Sequence, residues 1–431
     1  LKFLFTTFEG GGHVPPALLV ARRLIENGHE VLLVSDEANR SQASRQAVPF
    51  RTWTRAPNRP ALGGRDDPLD DWRARWPPSV VRAVCDAVIC GPAGLYAADT
   101  LDLIAELRPD VVVSNELLFG VMAACEATAT PLALLTANVW CFPTRLDTPP
   151  FGPGFPPATS AFQRRRESGA RDLIARWYDA GLPRLNAARA GLGLPPLQRT
   201  LDQLNAARLV ILGAGAGFDF GAIPPPEPFA YAGPLGEAPT WAKTSADSGL
   251  LASNRPNVLV SFSTTYQGQE RVIDRSIAAL ASLPVRGIVT LGPAIDPASV
   301  RRAPNVTVVA AADHDVIVPR CAAMICHGGH GTILRPLMFG VPVVCLPMGR
   351  DQPENAQRIA SRGAGIRLPR GASAGRIRRA VCKLLHDPTY ARNAKTLGDA
   401  LRAEDDGGRS AAAMLEALAE KGSRTVAEAP I

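Results

Sequence analysis

Apolar residues along this chain come in short unbroken runs separated by longer amphipathic stretches. That alternation is expected where parallel strands are buried on both faces by helices. Leu1-Lys2-Phe3-Leu4-Phe5-Thr6 is the first run. After the loop Gly10-Gly11-Gly12-His13-Val14, Pro15 and Pro16 open a helix with the apolar face Leu18, Leu19, Ala21, Leu24 and Ile25, and Asn27-Gly28 ends it. Proline suits a first turn, whose N–H groups lack helical partners, and a strand at 31–34 completes a βαβ start. Residues 110–114, 131–135 and 208–212 read as further strands, the last closing the sheet, with Asn115 and Glu116 at the carboxyl end of the first of these. Helical pattern runs to about 107 and again over 161–191. The stretch 55–78, dense in Pro, Asp and Arg, reads as a surface excursion, and a loop at 138–159 carries Trp140, Phe142, Phe151 and Phe155.

Little periodicity survives between 224 and 256, where Pro, Gly, Ala and Ser dominate. Alternation restarts with Asn257-Val258-Leu259-Val260-Ser261-Phe262, and the polar turn Ser263-Thr264-Thr265 leads into a helix to about 283. Strands near 288, at 306–309, at 322–326 and from Val341 follow, then a helix at 352–362 stopped by Gly363. Helices fill the rest, the last at 410–418. The expected fold class is α/β with two doubly wound, Rossmann-like domains, 1–235 and 257–405, joined by a linker at 236–256. Ligands in such sheets sit beyond the strand carboxyl ends, where His13, Glu116, Ser263, His327 and Asp351 fall.

The 431 residues also favour two domains, and 46% hydrophobic with 20% charged residues suits a folded enzyme rather than a disordered chain. A net charge of +7 would draw anions, but the arginines are scattered. Their one run, Arg164-Arg165-Arg166, reads as a solvated helix face, so no nucleic-acid partner is expected. Eight cysteines show neither a CxxC pair nor zinc spacing, which fits a reduced, cytoplasmic setting. No signal peptide is read, and no uninterrupted apolar run approaches the ~18 residues of a spanning helix.

Candidate chemistry centres on Ile325-Cys326-His327-Gly328-Gly329-His330-Gly331-Thr332. A buried strand ends in glycines and a helix begins, which brings backbone N–H groups close to a phosphate with the helix dipole behind them. Thr332 can add a hydroxyl and His327 an imidazole. Gly340-Val341-Pro342-Val343-Val344-Cys345-Leu346-Pro347 then delivers Asp351-Gln352-Pro353-Glu354-Asn355 to the next loop. Gly213-Ala214-Gly215-Ala216-Gly217 invites a dinucleotide reading, but the sixth position is Phe218 and no helical pattern follows. Asp313-His314-Asp315 reads as the cap of a short helix at 316–319 rather than as a metal signature.

With Gly12-His13-Val14-Pro15-Pro16, His327-Gly328-Gly329-His330-Gly331-Thr332 and Asp351-Gln352-Pro353-Glu354-Asn355-Ala356 in this order, the chain resembles the GT-B glycosyltransferases of family 1. The bacterial antibiotic and macrolide branch is the nearest likeness. The resemblance implies two domains facing a cleft, with the tail 406–431 crossing back to the first. It implies that His13 is the general base, held by a carboxylate; the family's Asp corresponds to Glu116 or, one residue earlier, to Asn115, and Glu116 is favoured. His327, Gly331 and Thr332 would hold the donor diphosphate, helped by the backbone of Gly329 and His330. Ser263 would face the phosphates, His314 the base, and Asp351 and Gln352 the sugar hydroxyls. Trp140 and Phe142 would lie at an acceptor lip.

Direct attack by an acceptor hydroxyl would invert the anomeric centre, and a site of N–H groups and imidazoles can dispense with a metal or other cofactor. The turn before the phosphate motif, Ala311-Ala312-Asp313-His314, has no Trp, and Arg335 stands where uridine-dependent members carry a ribose-binding Glu. That favours a dTDP-sugar over a UDP-sugar. The expected partners are the nucleotide sugar and a hydrophobic small molecule, with a homodimer left open. The alternatives are a catalytically silent nucleotide-binding partner of another transferase, or a sugar-nucleotide 2-epimerase of the same fold.

Overall fold

The computed structural model describes residues 1–61, 73, 76–236, 251, 254–263, 265–292 and 295–427. The apolar runs become parallel strands. In the first lobe β1 (Lys2–Thr6), β2 (Glu30–Ser35), β3 (Phe50–Thr52), β4 (Val111–Ser114), β5 (Leu132–Thr136), β6 (Leu209–Leu212) and β7 (Phe229–Tyr231) form one sheet in the order 3-2-1-4-5-6-7. In the second, β8 (Asn257–Ser261), β9 (Arg286–Thr290), β10 (Val306–Val309), β11 (Cys321–Cys326), β12 (Val343–Cys345) and β13 (Gly365–Arg367) run in the order 10-9-8-11-12-13. The reversal of winding between β1 and β4, and between β8 and β11, leaves a crevice at the carboxyl edge of each sheet.

Three strands escape the hydrophobic pattern. β3, β7 and β13 are three residues each, too short to show a period, and β7 lies beyond the 208–212 run expected to close its sheet. The 161–191 pattern divides into helices Ala161–Tyr178 and Leu182–Gly191 around a single tight turn. The terminal helix, Arg409–Ala427, is longer than its apolar pattern. Its Ala411, Ala412, Leu415 and Ala419 join the first-lobe core with Phe3, Leu19 and Val20. Glu416 from the same helix accepts from Asn27 Nδ2 at 2.7 Å and meets His29 Nε2 at 2.9 Å. Most of the linker 236–256, and Thr264 of the expected polar turn, lie outside the described residues.

All eight cysteines are free thiols. Among the described residues one helical stretch, Pro77–Leu107, has the length and hydropathy of a membrane span, which the uninterrupted-run criterion passed over. It is interrupted at Gly91 and Pro92, and its Val88, Ile89, Tyr96 and Leu103 pack into the first-lobe core.

The lobes meet through both apolar and ionic contacts. Val139, Ala214 and Phe218 of the first lobe pack into the core beneath β11 and β12. The glycines of 213–217 serve this packing rather than a dinucleotide: Gly217 N–H donates to Glu404 Oε1 at 2.9 Å, and a Cβ on Gly215 would meet the same carboxylate at 2.5 Å. Asp219, almost wholly buried, accepts from Arg358 Nη2 at 2.6 Å across the interface and from Arg145 Nη1 at 3.0 Å in its own lobe. Burial alone would raise its pKa, but the two guanidiniums outweigh it and hold the carboxyl below the usual range. Glu354 Oε1 accepts from the backbones of Gly152 (2.9 Å) and Gly154 (2.6 Å), docking the aromatic loop on the second lobe.

Removing one member of a buried ion cluster strands the others. Asp219→Ala should therefore cost about 3 kcal/mol, read as a fall in Tm by calorimetry. In the native protein this stabilisation is complete above the unfolded carboxyl pKa of about 3.9 and is lost as the pH falls through the lower folded value.

Candidate active site

The carboxyl ends of both sheets open onto a cleft of about 820 Å³. On the second-lobe side β11 runs out at Cys326, and His327, Gly328 and Gly329 turn the chain into helix His330–Met338. Gly328 has φ +96°, in the left-handed region, and a Cβ on Gly329 would lie 2.4 Å from His327 Nε2. A side chain at 328 would be strained and one at 329 would have to push the His327 ring aside, which is the physical reason for the paired glycines. His327 is 5% exposed, and its Nδ1 has no hydrogen-bond partner among the described residues. Burial first, then the Arg350 guanidinium, lower its pKa to about 3. Burial likewise brings His330 to about 4. Both rings are therefore neutral at pH 7, and a neutral imidazole can donate one hydrogen bond to an anion.

Ser263, His314, Gly331, Thr332, Asp351 and Gln352 all line this cleft, as do Gly329 and His330. Ser263 Oγ and Thr265 Oγ1 share a hydrogen bond of 2.9 Å, and Arg350 Nη1 donates to Thr265 Oγ1 at 3.1 Å. His314 Nε2 lies 3.2 Å from Thr290 Oγ1. The helix it opens, His314–Ile317, begins two residues before the expected 316–319, and Asp313 caps it by accepting from Asp315 N–H. Asp351 Oδ2 collects Asn138 Nδ2 from the first lobe at 2.5 Å, Asn355 Nδ2 at 2.7 Å and the His330 backbone N–H at 3.3 Å. The Gln352 amide is occupied by the Met348 N–H (2.7 Å) and by Gln267 Oε1 (3.0 Å).

On the first-lobe side His13 stands before helix Val14–Glu26, its ring stacked on Phe8 with centroids 5.3 Å apart. Burial and Arg350 lower its pKa to about 4. The expectation that Glu116 bonds His13 directly is corrected. Asn115 intervenes, its Nδ2 lying 3.0 Å from His13 Nδ1 and 2.8 Å from Glu116 Oε2. The chain has left β4 by this point: Asn115 turns towards the His13 ring, while Glu116 lines the cleft beside it without reaching the imidazole. Glu116 Oε1 instead accepts from Thr136 Oγ1 at 3.0 Å and from Cys141 Sγ. Burial pushes its pKa up to about 7.

Comparison with known proteins identifies the family. Residues 275–416 match the family model for the erythromycin biosynthesis protein CIII-like C-terminal domain. The 4'-demethylrebeccamycin synthase of Lentzea aerocolonigenes is 30% identical over 412 residues, 94% of this chain and 96% of that protein. The chain belongs to the antibiotic glycosyltransferases of GT-B fold. The O-mycaminosyltylonolide 6-deoxyallosyltransferase of Streptomyces fradiae is 26% identical over the full length of both chains. The calicheamicin glycosyltransferase CalG4 superposes with a TM-score of 0.71 at 18% identity, covering 100% of this chain and 99% of that one. This glycosyltransferase thus uses a nucleotide sugar, as its family does.

Trp140 and Phe142 do not reach the glycosyltransferase's cleft. Both are at most 5% exposed and pack with Phe119, Tyr178 and Phe229 in the first-lobe core. Trp140 Nε1–H is met by Thr144 Oγ1 at 2.7 Å, which lets the indole be buried. The apolar wall comes instead from Trp76, from Val80, Val81 and Val84 on the helix Pro77–Val84 that follows it, and from Ile174 and Trp177 on another helix, with Phe151 beside them. Phe155 lies under the Arg166 guanidinium. Asn138 and Arg350 carried no motif reading, and Glu354 stood inside the third motif without a role, yet each lies at the junction of the lobes. The signal for Arg350 was a cation immediately before the Asp351-Gln352 pair, and that for Glu354 its place in the motif.

Gly329→Ala should displace the His327 ring and weaken nucleotide-diphosphate binding about tenfold, which is 1.4 kcal/mol, by calorimetric titration. Acid should destabilise the fold as well. Because His327 and His330 bind protons in the unfolded chain below pH 6.5 but not in the folded one, stability falls as pH drops from 7 to 5. Each contributes about 1–2 kcal/mol of that loss, visible as a declining Tm.

Proposed function

We propose that this protein transfers a hexose or deoxyhexose from a dTDP-sugar, with UDP-sugars as poorer donors, onto a hydrophobic natural product, with inversion and without a metal ion. The observation that carries this reading is one cleft shared by the two lobes. It sets His327 and the N-terminus of helix His330–Met338 against one wall and His13 against the other. The diphosphate oxygens take hydrogen bonds from His327, Gly331 and Thr332, with Ser263 and Thr265 opposite. The Arg350 guanidinium adds a full positive charge where the leaving group gains negative charge. His314 and Thr290 border the base, and Asp351 with Gln352 meets the sugar hydroxyls. Asn138 contributes from the first lobe by orienting the Asp351 carboxylate. His13 hydrogen-bonds the acceptor's nucleophilic atom, and Trp76, Val80, Val81, Val84, Ile174 and Trp177 receive its apolar body.

The dTDP preference rests on Arg335. It stands at the cleft edge, paired with Asp315, and offers no acceptor to a ribose 2′-hydroxyl. The relative DnrS of Streptomyces peucetius, 27% identical over 91% of both chains, is named a TDP-daunosamine transferase, and the fold neighbour VinC was solved with dTDP.

Incubation with a dTDP-sugar and a panel of aromatic polyketide and alkaloid aglycones, in the presence of EDTA, should give glycosides of inverted anomeric configuration by NMR. Retention of configuration, or loss of turnover that a divalent cation restores, would overturn the proposal. His327→Ala should lower kcat at least tenfold in the same assay.

A further inference from the structure

Asn115 is held in one orientation by its own neighbours. Its Oδ1 accepts the Leu117 backbone N–H at 3.0 Å, so its NH2 group faces the other way. One of those hydrogens goes to Glu116 Oε2 at 2.8 Å and the other to His13 Nδ1 at 3.0 Å. An amide NH2 can only donate, so Nδ1 is the accepting nitrogen of a neutral ring and the proton resides on Nε2. Turning the amide over would set its NH2 against the Leu117 N–H, two donors facing each other with no acceptor between them. With Asn115 at the Nδ1 end, the other end of the ring lies on the cleft side, where His13 borders the cavity. A carboxylate at position 115 would accept from Nδ1–H and leave Nε2 a lone pair; the amide does the reverse.

The transfer proposed above needs a nucleophile with an available electron pair, and a histidine holding its proton at Nε2 does not create one. We infer that this site takes acceptors whose nucleophilic atom arrives as a resonance-stabilised anion, from a phenolic or enolic O–H or a conjugated ring N–H, and that His13 donates Nε2–H to that anion instead of removing a proton. The acceptor's proton has gone to solvent before or during binding. The anion's electron pair then forms the bond to the sugar anomeric carbon as that carbon's bond to the diphosphate oxygen breaks, and the diphosphate leaves with the bonding pair. His13 stays neutral throughout. Its low basicity, set by burial and by Arg350, agrees with this use. The same guanidinium also favours an anion nearby, and the other charged groups around the ring act indirectly, Glu116 through Asn115 and Asp351 across the cleft. Asn115 is thus a positioning residue that sets which acceptors react.

The inference rests on the proposed transfer, and the test separates the two. Purified wild-type enzyme with a dTDP-sugar is given one apolar aromatic skeleton bearing a phenol, a conjugated N–H or a primary aliphatic alcohol, with phenols of graded acidity. Transfer to the phenols or N–H acids should exceed that to the alcohol at least a hundredfold. The rising limb of kcat/KM against pH should move with each acceptor's own pKa, and whichever of the two acid series reacts identifies the nucleophile. Asn115→Asp, which accepts Nδ1–H, should shift the alcohol-to-acid ratio at least tenfold towards the alcohol. A wild-type enzyme that uses the alcohol as readily, or a pH limb fixed regardless of acceptor, overturns the inference and leaves the transfer reading intact. Nitrogen NMR of labelled wild-type protein decides independently of turnover: His13 should show protonated Nε2 and unprotonated Nδ1, and the opposite tautomer overturns the inference even where no acceptor reacts.

Discussion

Asp219, in the loop after the sixth strand of the first lobe, accepts hydrogen bonds from Arg145 of its own lobe and from Arg358 of the other. All three side chains are nearly removed from solvent. Buried charges of this kind tolerate little displacement, because each is compensated only at hydrogen-bonding distance. The cluster therefore sets the separation of the lobes, and the separation sets what the cleft can hold. Two further contacts follow from the same closure. Asn138 reaches Asp351, and Glu354 takes the backbone of Gly152 and Gly154. The helix that opens with the Asp351-Gln352 pair is thus fixed to the loop that supplies Phe151 to the apolar side of the cleft.

Electrostatics within the cleft are arranged around neutral imidazoles. His13, His314, His327 and His330 are all driven well below their usual pKa, chiefly by burial. They act as hydrogen-bonding groups over the physiological range and not as charges. The positive potential comes from backbone dipoles and from Arg350, which stands beside both His13 and His327 and holds φ +57° to do so. A non-glycine residue in that region carries backbone strain, which tends to gather at functional positions. One fixed guanidinium in a low-dielectric cleft outweighs several exposed ones, which is why the net charge of the whole chain said so little about the site.

The first-lobe side shows how much depends on one position just past a strand. Asn115 and Glu116 are adjacent, polar and buried, and either could in principle orient His13. Their difference is direction. The first turns to the imidazole and the second to Thr136 and Cys141. An amide in place of a carboxylate at the turned position changes which ring nitrogen holds the proton, so the identity of one side chain governs the chemistry of another.

Strand runs, the glycine turn at 327–331, the proline-opened first helix and the order of three motifs were all legible locally, because they arise from the spacing of neighbours along the backbone. They were enough for the α/β class, the two sheets and the glycine turn that lines the cleft. What the chain by itself could not decide were contacts between residues far apart in sequence. Trp140 and Phe142 are aromatic in a loop, and only packing against Phe119 and Tyr178 made them core. The three-residue strands exist because a neighbouring edge offers hydrogen bonds, not because of their own pattern. Asp219 with Arg358, Asn138 with Asp351 and Asn115 with His13 are each more than a hundred residues apart. A hydrogen bond is directional and short, so its partner is chosen by the final placement of two backbones, and no local pattern carries that information.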